Sequence, residues 1–269
     1  MLLFKKNIFL FIFSLLVWSS VCSQSESKFY SNLETKWLLE IPLWVPGFRG
    51  QLSYGDIYLN TATPKDKKEL ELIDKDPGLE FYFVGRASFR HQKLWIQADA
   101  FSGSVGNTFS FAPQRSELEK ELVYLSATGT MPRIIFGYSV WTKTFNEHTS
   151  IEIVPYTGLR YIYIQFESEI SQTSQQIDLV SKWFEPLIGV SIPFNYKRFR
   201  FEIQGDWGGN SAKNSTMINS CLKYRISRLI DTKLGWTSVY SHHKAAVQDE
   251  ILDFDINLQG PALGVGFNF

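Results

Sequence analysis

The stretch "RFRFEIQGDWGG", residues 198–209, decides the fold. Phe199, Phe201, Ile203 and Trp207 share one face of an extended chain, and Arg198, Arg200, Glu202, Gln204 and Asp206 share the other. The question is which side meets solvent. A soluble sandwich turns its apolar side inward. A membrane barrel turns it outward to lipid and fills its interior with polar groups.

The alternation recurs from residue 37 to the end. In "GLEFYFVGRASFR" (78–90), Leu79, Phe81, Phe83, Ala87 and Phe89 oppose Glu80, Arg86 and Arg90. In "TMINSCLKYRI" (216–226), Ile218, Leu222, Tyr224 and Ile226 oppose Asn219, Lys223 and Arg225. In "DTKLGWTSVY" (231–240), Leu234, Trp236 and Tyr240 oppose Asp231, Lys233 and Thr237. Several of these runs reach about ten residues, the length a tilted membrane strand needs, whereas globular strands cluster near ~5–6.

Connections alternate between tight and long. Tight turns fall at 90–93, 146–150, 195–197 and 227–231, and longer stretches at 59–77, 104–119, 168–180 and 245–250. Short turns on one side and long loops on the other describe a transmembrane antiparallel up-and-down β-barrel, an all-β fold. About ten strands are predicted: 36–55, 79–90, 93–103, 120–142, 151–167, 181–194, 198–208, 215–226, 232–242 and 251–269. Splits at Pro46-Gly47 and at Gly129 to Pro132 would raise the count to twelve, and eight is the lower bound. The charged segment 63–78 reads as a short helix between Lys65 and Asp74, or else as a solvated loop.

The chain begins with Lys5 and Lys6, an apolar run from Ile8 to Val17, then small residues. That run is too short to span a bilayer, so residues 1–23 read as a cleaved signal peptide and 24–269 as the barrel domain. Cys22 raises a lipoprotein alternative that Ser20 and Val21 fit poorly. Without the signal Cys221 stands alone, so no intrachain disulfide is expected. Charge balances at 27 basic and 27 acidic residues, which gives no reason to expect a nucleic-acid partner.

The last residues, "GPALGVGFNF" (260–269), must form the strand that closes the ring. Leu263, Val265, Phe267 and Phe269 form its lipid-facing stripe. Upstream, Leu252, Phe254, Ile256 and Leu258 hold the opposite parity, so a bulge at Gln259-Gly260-Pro261 is expected. "LWVPGFRGQLSYG" (43–55), "PYTGLRY" (155–161), "WFEPLIGV" (183–190), "GDWGG" (205–209) and "GPALGVGF" (260–267) occur in this order. Together they resemble a group of poorly characterised Gram-negative, porin-like outer-membrane barrel proteins. Where that group tends to show Asp-Pro after the tryptophan, this chain has Glu185-Pro186. The resemblance implies a fold, a bacterial outer-membrane location, a lipid environment, and a terminal aromatic stripe (Leu263, Val265, Phe267, Phe269) read by the outer-membrane assembly machinery. It implies no catalytic residue and no cofactor.

For the lumen, the alternation nominates Glu80, Arg86, Arg90, Asp99, Glu152, Arg160, Glu185, Arg198, Arg200, Glu202, Asp206, Lys223, Arg225 and Lys233. Opposite charges in a narrow interior are expected to pair into a network that fills it. The alternative is a narrow passage for small polar solutes. An enzyme or metal site at the rim would use His242 or His243 with Asp249, Glu250, Asp253 or Asp255. Adjacent strand residues face opposite ways, so only one of these histidines can join it. No phosphate loop, zinc spacing or nucleophile elbow occurs. The expected role is a structural or narrow porin-like barrel rather than an enzyme. A rim enzyme and a secreted soluble β-sandwich are the alternatives.

Overall fold

The computed structural model describes residues 36–54, 57–60, 70–72, 78–111, 121–170, 175–247 and 250–269, and every regular element among them is a strand. In chain order these are β1 (Lys36–Trp44), β2 (Gly47–Tyr54), β3 (Ile57–Asn60), β4 (Leu70–Leu72), β5 (Gly78–His91), β6 (Leu94–Phe111), β7 (Glu121–Thr130) and β8 (Arg133–Tyr138). They continue with β9 (Trp141–Asn146), β10 (Thr149–Ile170), β11 (Gln175–Tyr196), β12 (Phe199–Gly209), β13 (Lys213–Arg225), β14 (Ile230–Val247) and β15 (Glu250–Asn268). The expected signal segment lies outside the described residues.

These strands occupy ten places in one closed antiparallel ring. β1 and β2 share one place, β7, β8 and β9 another, and β5, β6 and β10 to β15 take one each. The chain does break at Pro46 and Pro132, yet neither break adds a wall position. Pro lacks the ladder donor, and backbone bonds beside it carry the sheet past the gap. Val45 N donates to Pro261 O at 3.1 Å, and Tyr161 N donates to Pro132 O at 2.9 Å. The ring closes where β15 meets β1, from Leu38 opposite Asn268 to Trp44 opposite Ala262, and continues onto β2.

All four expected tight turns are present, at 92–93, 147–148, 197–198 and 226–229. Gln92 and Lys197 take positive φ of 52° in their two-residue hairpins. The strands run further than the sequence implied. β6 continues to Phe111, β10 to Ile170 and β14 to Val247, and β11 starts at Gln175, so the expected loops 104–119, 168–180 and 245–250 shrink. Leu70–Leu72 is a strand paired with Phe109–Phe111, which corrects the expected helix there. The rest of that expected helix lies outside the described residues.

The polarity is inside-out relative to a soluble sheet. Outward on β12 stand Phe199, Phe201, Ile203 and Trp207, all exposed, while Glu202, Gln204 and Asp206 are buried inside. Phe184 on β11, 73 % exposed, and Ile188, 66 %, belong to the same outer belt. From Phe199 to Trp207 the belt follows the strand for roughly 27 Å, which at a tilt near 40° rises about 20 Å. That approaches the apolar band of an outer-membrane barrel, about 25 Å tall.

The expected bulge in β15 is absent. Its pairing with β14 runs unbroken from Val247 opposite Glu250 to Ile230 opposite Phe267, and its pairing with β1 and β2 holds one register. Leu263, Val265, Phe267 and Phe269 do take the outward parity. Leu252, Phe254, Ile256 and Leu258 point inward instead. What changes along this strand is the surroundings, not the geometry.

Two glycines test this wall. A Cβ on Gly260 would stand 2.0 Å from Val45 O and 2.8 Å from Pro46 Cα, whereas one on Gly129 would meet nothing within 4 Å. Gly260→Ala should therefore destabilise the closed barrel by about 1–3 kcal/mol, with Gly129→Ala near neutral, measured by urea unfolding in detergent.

Candidate functional site

The lumen is the candidate site, and it contains two layers. The one nearer the short turns is ionic. Asp206 on β12 accepts from Arg133 on β8, from Arg160 on β10 and from the Tyr156 hydroxyl at 3.1 Å. Arg133 also forks onto Asp99, both contacts at 2.8 Å, and Asp99 lies 3.5 Å from Arg86. Arg86 reaches Glu40 at 3.3 Å, and Glu40 takes Lys223 at 2.7 Å and Lys233 at 3.9 Å. Arg160 also donates to Glu185 at 3.2 Å and to Ser215, whose hydroxyl donates to Glu185. Arg160 and Glu152 are fully buried.

Charges this deeply placed persist only when paired, since desolvation costs several kcal/mol per ion. Some of this pairing follows the wall and some crosses the interior. Glu40–Arg86, Arg86–Asp99, Asp99–Arg133 and Arg160–Glu185 are register partners on neighbouring strands. Arg133 and Asp206 stand three ring places apart, and so do Lys223 and Glu40. Nearer the turns, Arg90 holds Glu152 at 2.7 Å, Arg200 holds Glu202 at 3.3 Å, and Arg225 forks onto Asp231 at 2.7 and 3.1 Å.

Of the lumen residues nominated by the alternation, Arg86, Arg90, Asp99, Glu152, Arg160, Glu185, Arg200, Glu202, Asp206, Lys223, Arg225 and Lys233 face this interior. Arg198 stands in the Lys197–Arg198 turn, at the rim, because β12 begins one residue later. Glu80 lies beside a register shift between Leu79 and Phe81, and its side chain is outside the described set. Sequence reasoning missed Glu40, Arg133 and Tyr156. Glu40 was detectable, since Trp37, Leu39, Ile41 and Leu43 alternate around it as exposed residues. Arg133 was hidden by the break at Pro132.

The second layer is apolar. Trp44, Met131, Ile162, Ile164, Phe166, Leu179, Trp183, Val239, Leu252, Phe254, Ile256 and Ala262 form one buried cluster. Phe166 on β10 and Phe254 on β15 belong to strands on opposite sides of the ten-place ring, yet their rings meet edge-on at 5.5 Å. His243 lies between Trp183 (4.3 Å) and Phe254 (5.1 Å), with Nε2 2.7 Å from Ser181 Oγ. Trp44, Trp95 and Trp183 thus serve the interior. Cys221 is a buried, inward-facing thiol.

At this level the outer surface turns polar. Outward on β14 come Ser238, Tyr240, His242 and Lys244, and outward on β15 come Gln259, Asn257, Asp255 and Asp253. His242 points outward, its Nδ1 2.8 Å from Asp255 Oδ1, and Tyr240 donates to the same oxygen at 2.6 Å. The two histidines face opposite ways, so the rim holds one histidine and one carboxylate in contact. Among the described residues no three His, Cys, Asp or Glu groups converge on a metal site.

The free interior space is small. A polar cavity of about 90 Å³ lies toward the turns, lined by Glu40, Arg90, Arg200, Glu202, Lys223 and Asp231 among others. It suits a few waters, at about 30 Å³ each, and no organic solute.

No family model matches the chain, and no curated protein matches it. Among solved structures it is similar to the outer membrane protease OmpT from Escherichia coli, at 6% identity, covering 91% of this chain and 99% of that one with a TM-score of 0.44. It is similar to the translocator domain of the autotransporter NalP from Neisseria meningitidis, at 9% identity over 93% and 92% with a TM-score of 0.37. The attachment invasion locus protein Ail of Yersinia pestis gives 11% identity over 88% and 100% with a TM-score of 0.33. The likeness stops at general architecture, and the assignment rests on the hydrogen-bonded ring and its apolar belt. The chain is a transmembrane β-barrel of the bacterial outer-membrane type.

One measurement probes the ionic layer. Asp206→Asn leaves Arg133 and Arg160 without their shared carboxylate and should cost about 3 kcal/mol in detergent unfolding.

Proposed function

We propose that this outer-membrane-type barrel is a non-conducting structural protein, exported by a cleaved signal at residues 1–23 and folded into the bacterial outer membrane with its short turns in the periplasm. The single observation that carries the reading is the meeting of Phe166 and Phe254 from opposite walls. A passage would have to cross that contact and then the Arg133–Asp206–Arg160 crossing beneath it. The layers act in series, so opening one leaves the other shut. The narrow porin-like alternative needs a continuous aqueous path, and the Phe166–Phe254 contact lies across it. A rim enzyme finds support only in the contact of His242 and Tyr240 with Asp255, and among the described residues no three His, Cys, Asp or Glu groups gather there.

The resemblance to porin-like Gram-negative barrels is compatible with this role, as is delivery of the Leu263–Phe269 stripe to the assembly machinery. The test is reconstitution of the purified, detergent-folded chain into planar bilayers. Insertion confirmed by heat-modifiable gel migration, with no discrete current steps, is the expected result. Reproducible unitary steps from the inserted wild-type chain would overturn it.

A further inference from the structure

The periplasmic edge carries a charge imbalance that the lumen network does not use. Its four turns and the neighbouring β9 present Lys93, Lys143, Lys197, Arg198 and Arg228 against one carboxylate, Glu147, among the described residues there. At the other edge of the belt, the described outward groups Glu167, Asp178, Asp253 and Asp255 outnumber Lys182 and Lys244. Among the described residues the barrel is therefore basic at one edge of the belt and acidic at the other.

Two of the basic groups are arranged as a pair. Lys143 Nζ lies 5.1 Å from the centroid of the exposed Phe145 ring, and Lys197 Nζ lies 5.4 Å from that of Tyr196. β9 and β11 flank β10, and Lys143, Ile151 and Phe194 stand side by side across the three strands. Lys197 lies three residues past Phe194. At about 4.8 Å per strand and about 3.3 Å per residue, the two lysine backbones therefore sit roughly 14 Å apart, one on each side of β10. Two extended lysine stems reach into that gap from either side. The turns beneath are tied together, since Lys197 N donates to His148 O at 2.9 Å. A lysine lying on an aromatic face at a membrane edge keeps its ammonium at headgroup depth while its stem stays in apolar surroundings. Both lysines are exposed, so neither ammonium is held inside the ionic network.

We infer that this edge binds the phosphate of an anionic phospholipid in the periplasmic leaflet, bracketed by Lys143 and Lys197 with Phe145 and Tyr196 against the upper acyl chain. The apolar belt directly above the pair supplies the hydrocarbon environment such a lipid needs. Glu147, in the adjacent turn, is the one carboxylate that opposes binding. The inference rests on the membrane reading above.

The test uses the full barrel folded into phosphatidylcholine vesicles with and without phosphatidylglycerol, then released into detergent for native mass spectrometry. Wild-type protein should retain phosphatidylglycerol over phosphatidylcholine. K143Q and K197Q should each lower that preference two- to fivefold, and the double variant roughly tenfold. R228Q, altered at a turn away from the pair, should keep most of it. Excess inorganic phosphate should fail to displace the lipid. Equal retention by wild type and K143Q/K197Q, an equal loss in R228Q, or displacement by phosphate alone would each overturn the inference. Flotation separates the two readings. A chain that floats without lipid preference overturns only this inference, and one that fails to float with either vesicle overturns the membrane reading as well.

Discussion

In hydrocarbon every backbone amide and carbonyl has to find its partner within the protein, and the pairing of β15 with β1 is what makes that achievable here. Without it, two strand edges would stand open at membrane depth. Much of the local sequence around the seam follows from this demand. Gly260 lies flush against the kink at Val45–Pro46, and Gly264 faces Pro42 closely enough that a side chain would crowd the pair. The breaks at Pro46 and Pro132 are tolerated because neighbouring strands supply the missing bonds.

Closure creates an interior, and a narrow ring of ten strands leaves that interior to side chains. The chain fills it by two different chemistries. Toward the turns, acids and bases interlock across the lumen, with Asp206 serving two guanidinium groups and Glu40 serving two lysines and an arginine. Toward the loops, aromatic and aliphatic groups from opposite walls meet in a dry cluster. The outer surface follows the reverse order, greasy beside the ionic layer and polar beside the apolar one.

The ring, its strand count and the tight turns were legible in the sequence, because period-two alternation and turn spacing are local signals. The ionic wall was largely legible for the same reason: Arg200, Glu202 and Asp206 alternate with Phe199, Phe201 and Ile203. Three kinds of information were not local. The partners of the charges that reach across the lumen depend on which strands face each other there, so Arg133–Asp206 and Lys223–Glu40 could not be paired from spacing. The extensions of β6 and β14, to Phe111 and Val247, were read as loops because their continued pairing with β7 and β15 is not a local signal. The phase change in β15 was read as a bulge because the reading assumed one environment along the whole strand. In fact Phe254 and Phe267 obey the same geometry in different surroundings.

That exchange of environments has a consequence for how the chain finds its alignment. Ordinary alternation tolerates a sliding error of two positions, since every second residue is equivalent. Here a two-residue slide would carry Gln259 or Asn257 toward the oil on the outside. A one-residue slide would thrust Asp253 and Asp255 into the aromatic cluster. The boundary between the two zones therefore works as a vernier mark, fixing the vertical setting of each stave to within a single step.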